Sequence, residues 1–65
     1  MQAEEIYEVY AARAEGAEPV KNVGAVQARS PREAAIFAHK LYDDWRWKEM
    51  FVVPRRALMH VIRPA

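Results

Sequence analysis

The stretch "SPREAAIFAHKLY", Ser30 to Tyr42, carries the clearest local signal in the chain, and the rest is arranged around it. Ser30 is a capping residue, Pro31 suits the first helical position because the N–H it lacks would find no partner there, and Glu33 stands where a capping box needs its acid. A helix therefore begins at this point. Ala34, Phe37, Ala38, Leu41 and Trp45 follow at spacings of three or four, which stack them on one face. That face is expected to lie on a sheet, with Ala34 and Ala38 allowing close approach and Phe37 and Leu41 supplying buried volume. If Phe37 is fully buried, its replacement by Ala costs about 3–5 kcal/mol.

On the N-terminal side, "EIYEVYAARA" (5–14) alternates as a strand does: Tyr7, Val9 and Ala11 form a core row, and Ile6, Glu8 and Tyr10 form a mixed row on the open face. The segment "EGAEPVKN" (15–22) is a turn-rich loop suited to a long hairpin. In the returning strand "VGAVQARS" (23–30), Val26 and Ala28 continue the core row, while Gly24 marks a bulge or close packing of the following helix. Beyond the helix, "EMFVVP" (49–54) reads as a strand, far too short for a membrane, whose ladder Pro54 interrupts. "ALMHVI" (57–62) is expected to resume as a short fourth strand or an irregular edge. The fold class is α+β: a small antiparallel sheet of three to four strands with one helix packed on one face, in the order strand, strand, helix, strand.

At 65 residues the chain is a single domain, residues 1–65, too small to bury a large core. Twelve alanines lift its apolar share to 52% without adding much volume, and there is no cysteine to form a disulfide or thiolate metal site. Oligomerisation is the staple that remains. No apolar run is long enough to span a bilayer, and Met1–Glu5 lacks the pattern of a signal peptide, so a cytoplasmic location without membrane contact is expected. Residues 1–20 carry a net −4 and residues 21–65 a net +5, a polarity that favours docking to charged partners or to copies of the same chain.

No enzyme activity is expected of the chain. It has one serine, no Gly-rich phosphate loop and no nucleophile elbow; Asp43 and Asp44, adjacent on a helix, point apart and make a poor acid/base pair. His39 and His60 are the only histidines, so a zinc site would need distant carboxylates, and no Glu-x-x-His pair supports a di-iron centre. No catalytic, cofactor-binding or metal-binding residue is assigned, and no cofactor is expected. Trp45 and Trp47 stand where the helix should end, and a helix end seldom buries two tryptophans on opposite sides, which nominates them as partner contacts. Arg55 and Arg56, with Arg46, Lys48 and Arg63, could form a basic patch, and Tyr10 or Phe51 could stack a base, but the net charge of +1 and the five acids of residues 1–20 weigh against nucleic acid. The candidate interface set is Tyr10, Trp45, Trp47, Phe51, Arg55 and Arg56.

Together, "YEVY" (7–10), "NVGAVQARSPREAAIFAHKLY" (22–42) and "MFVVPRRAL" (50–58) resemble the phenylacetate-degradation protein B family, the small B subunit of the multicomponent phenylacetyl-CoA epoxidase. Tyr7, Glu8, Val9, Val23, Gly24, Ala34, Ala38, Tyr42, Val52, Val53 and Pro54 fit that pattern, with Tyr10 and Phe51 replacing other aromatics. The chain departs from it at Asn22, where the family has a His, and at the tryptophan-rich "DDWRWKEM" (43–50), where the family has a basic turn. The resemblance implies a non-catalytic, homodimeric subunit that bridges or supports the catalytic and structural subunits of a di-iron monooxygenase. The alternative is a small RNA- or ribosome-associated domain.

Overall fold

The computed structural model describes residues 3–43 and 46–62. Strand β1 (Glu5–Arg13) is followed by β2 (Lys21–Ala28), helix α1 (Pro31–Leu41), β3 (Trp47–Pro54) and a 3-10 turn over Arg55–Ala57. The three strands form one antiparallel sheet in the order β2-β1-β3, and α1 lies across one face of it. The expected α+β class and element order are present. The fourth strand is not: Pro54 stops the ladder, the chain turns into the 3-10 segment, and Leu58–Ile62 forms no regular element. No helix of the described residues is long and apolar enough to cross a membrane.

The alternation read in β1 holds as far as Ala11; Ala12, which belongs to the other row, is buried as well. Tyr7, Val9 and Ala11 are buried, and they face Pro54, Val52 and Met50 across β3. Across β2, Tyr7 is paired with Val26 and Val9 with Gly24. Both meanings offered for Gly24 are realised. The register slips by one residue between Val9 and Tyr10, leaving Val23 bulged, and the Tyr42 side chain comes down on Gly24 so closely that an added Cβ would overlap its hydroxyl oxygen.

The helix starts as expected. Ser30 is extended, its Oγ accepts from the Glu33 amide at 3.1 Å, and Glu33 Oε1 accepts from the Arg29 amide at 2.9 Å. The rotation of the helix differs from the expectation. Ala34 and Ala38 are fully buried and Tyr42 packs partly against the core, whereas Phe37 is 39% and Leu41 64% exposed. The buried stripe is thus 34/38/42. At about 100° per residue, positions 37 and 41 fall on the flank facing away from β3, and among the described residues no strand lies beyond β2 to cover them. Trp45, the last residue of the expected face, lies outside the described residues, and the helix itself ends at Leu41.

Two substitutions separate these positions. Phe37→Ala is expected to cost only about 1–1.5 kcal/mol, in proportion to its partial burial. Gly24→Ala, which forces Tyr42 off the sheet, costs about 1–3 kcal/mol. Tyr42→Phe in the Gly24→Ala background recovers part of that loss, because the two sites share one contact. Urea unfolding of the single and double variants measures all three.

Candidate functional site

The sheet face opposite α1 carries the densest set of candidate residues. Ile6, Glu8 and Tyr10 project there from β1, with Phe51 and Val53 from β3. Tyr10 and Phe51 are direct cross-strand partners, and their rings stack with centroids 5.6 Å apart and planes 14° from parallel. Tyr10 is half-buried and Phe51 is 40% exposed, so the outer surface of the pair remains open. Ile6, 37% exposed, extends the apolar surface along β1.

Glu8 sits in the middle of this apolar face, its charge answered from both sides. Its Oε2 accepts from Arg55 Nε at 2.5 Å and its Oε1 from Asn22 Nδ2 at 3.0 Å. The β2 bulge brings Asn22 opposite Tyr10 and within reach of Glu8. The hydrogen bond from Arg55 is the main cause that holds the Glu8 carboxyl below the usual carboxylate range; burial opposes it, and the Asn22 bond adds to it. Arg56 Nε donates to Glu5 Oε1 at 2.7 Å. Glu5 belongs to the core-side row of β1, so the 3-10 turn closes the end of the sheet with one arginine reaching toward each side. Burial pushes the nearby Tyr7 phenol up, with Glu5 and Glu33 adding to the rise and Arg56 opposing it.

The six candidate residues therefore do not form one patch. Tyr10, Phe51 and Arg55 share the open face, and Arg56 flanks its end. Trp47 lies on the helix side, half-buried, where its indole N–H donates to the Tyr42 carbonyl at the helix end. It closes the C-terminus of α1. Trp45 is outside the described residues.

A second apolar surface was not singled out from the sequence. Ile36, Phe37 and Leu41 are all substantially exposed on α1, on the far side of the sheet from Tyr10 and Phe51. Two of the three carried a sequence signal, read as core. Beside α1, a crevice of about 450 Å³ is lined by His39, Asp43, Trp47, Lys48, Glu49 and Met50. Among the described residues, no three His, Cys, Asp or Glu side chains gather as a metal site would require. No family model, curated protein or solved structure matches this chain.

The Glu8–Arg55 pair sets a pH dependence whose sign follows from its direction. The folded carboxyl titrates below its ordinary value of 4.5, so the pair's contribution is fully present above that pH and fades as pH falls below it. Acid unfolding monitored by circular dichroism should show this slope. Glu8→Gln and Arg55→Gln should each flatten it, and added salt should weaken it because Arg55 is exposed.

Proposed function

We propose that the chain is a non-catalytic docking subunit that bridges the catalytic and structural subunits of a multicomponent di-iron monooxygenase, of the kind that epoxidises phenylacetyl-CoA, and that it works as a cytoplasmic homodimer. The observation that carries this reading is two-sidedness. A slab with a shortest extent of 15 Å offers apolar surface on both sides, through Ile6, Tyr10 and Phe51 on the open sheet face and through Ile36, Phe37 and Leu41 on the helix. A bridge needs two contact surfaces that can be occupied together, and exposed apolar patches rimmed by polar groups are the usual mark of such surfaces. The ordered resemblance to the B subunit family, which covers most of residues 6–59, supplies the kind of partner.

The RNA reading has one observation in its favour, the aromatic pair on an open sheet face beside Arg55. Against it, the two rings stack on each other, and both Arg55 and Arg56 are engaged by carboxylates. Phosphate would have to compete with Glu8 and Glu5.

The test is affinity purification of the tagged chain from its native cells. Di-iron oxygenase subunits are expected to co-elute. Leu41→Glu and Tyr10→Ala, on opposite surfaces, should each cut that capture at least about tenfold, the loss of a modest hot spot, while circular dichroism shows the fold intact. Recovery of RNA instead, with an affinity that falls linearly against log salt, would replace this reading with the nucleic-acid one.

A further inference from the structure

The two edges of the sheet differ. The β2 edge is interrupted by the bulge at Val23 and begins with Lys21 and Asn22, both devices that discourage another strand from adding. The β3 edge has its bulge only at Lys48, and from Glu49 to Val53 it runs regularly, with four apolar residues in succession. No strand of the described residues pairs with it. A groove of about 220 Å³ runs beside it, lined by Ala35, Ala38, His39, Met50, Phe51 and Val52, where α1 leaves the β3 side of the sheet uncovered.

We infer that this edge pairs antiparallel with the β3 edge of a second copy, about a twofold axis at Phe51, joining two sheets into one of six strands. Side-chain alternation restricts the register. Met50 and Val52 face the core and Phe51 and Val53 the open side, so only registers that match like rows keep both copies' helices on the same face. An axis at Met50 sets Phe51 against Glu49 of the other copy and so separates the two Phe51 rings, whereas the axis at Phe51 sets Glu49 against Val53 and keeps the rings together. An axis at Val52 brings Pro54, which has no N–H, into the ladder. The axis at Phe51 sets Met50 against Val52 on the core side and Phe51 against Phe51 on the open side. It extends the stacked Tyr10–Phe51 pair into a row of four rings.

The surface area supports a missing partner of this size. A compact monomer of this mass, 7.5 kDa, has about 4,200 Å² of accessible surface, whereas the chain exposes 5399 Å². The excess is roughly 1,200 Å², and even after the exposed Met59–Ile62 segment takes a share it is on the scale of the about 800 Å² that each partner gives to a standard interface.

Because the chain has no cysteine, introduced thiols give an unambiguous test. Phe51→Cys, Glu49→Cys, Val53→Cys and a loop control, Ala17→Cys, are treated with a short bifunctional thiol reagent, alongside sedimentation equilibrium of the unmodified chain. The pairing predicts a mass twice 7.5 kDa and rapid covalent dimer for Phe51→Cys. Glu49→Cys and Val53→Cys should link to each other when mixed, but each alone no faster than the control, since identical residues two places from the axis are about 14 Å apart along the strands. A monomer mass, or equal linking at every position, overturns the inference. So does a dimer in which Phe51→Cys stays unlinked and Val61→Glu with Ile62→Glu abolishes association, which would assign the edge to the C-terminal segment of the other copy. The inference rests on the homodimer reading and names its seam: a dimer cross-linked at Phe51→Cys that captures no oxygenase subunit removes the bridge alone, a dimer that captures them while Phe51→Cys stays unlinked removes the pairing alone, and a monomer removes the homodimer and the pairing together.

Discussion

Helix α1 lies against the sheet through two methyl groups, those of Ala34 and Ala38, and through Tyr42, which descends where Gly24 presents no side chain. This close approach governs the rest of the structure. It brings the helix backbone near the strands, so that among the described residues Tyr7 and Val9 are the largest side chains that are fully enclosed. The remainder of the buried set is mostly alanine. Alanine adds little transfer free energy per residue, so a core of this kind holds a 65-residue domain with little margin. The close approach makes a thin domain and leaves apolar material outside it.

That surplus follows from geometry as much as from composition. Once Ala34 and Ala38 face the sheet, the side chains at 37 and 41 must project to the flank, and three strands are too narrow to reach beneath them. On the opposite face no helix or second sheet of the described residues packs, and the Tyr10–Phe51 stack stabilises itself while leaving its outer surface open. A fourth strand or a second helix would have covered one surface or the other. The chain instead spends its last described residues on a 3-10 turn and an exposed segment in which Met59, Val61 and Ile62 face solvent.

The parts of the fold legible in the sequence are those fixed by local chemistry. The Ser30 cap, the Pro31 start, the β1 alternation and the stop at Pro54 each depend on residues within a few positions of one another. Gly24 was legible too, since few reasons place a glycine inside a strand. The helix rotation was not, because Ala34 and Ala38 belong both to the stripe that continues to Tyr42 and to the one that includes Phe37 and Leu41. Sheet width chooses between those stripes, and width is a property of the whole fold. Trp47 was misplaced for a related reason: the helix stops at Leu41, so Trp47 enters β3 and its indole caps the helix from a neighbouring strand. The Glu8–Arg55 and Glu5–Arg56 pairs join residues 47 and 51 positions apart, a separation at which no local pattern operates.

Those two pairs also change the meaning of the charge polarity along the chain. An acidic first third and a basic remainder would ordinarily point to electrostatic docking, with one half of the surface drawn to an oppositely charged partner. Here part of that polarity is consumed inside the fold. Glu5 and Glu8 of β1 engage the two arginines that follow β3, and Glu18 engages Lys21 across the hairpin loop. Each exposed pair adds little stability, but together they tie the turn after β3 to the start of β1 and neutralise charge at the margin of the open face. What this face presents to another molecule is then chiefly Ile6, the Tyr10–Phe51 rings and the β3 edge. Recognition there depends on shape and apolar contact, with the central charge of Glu8 answered within the face by Arg55 and Asn22.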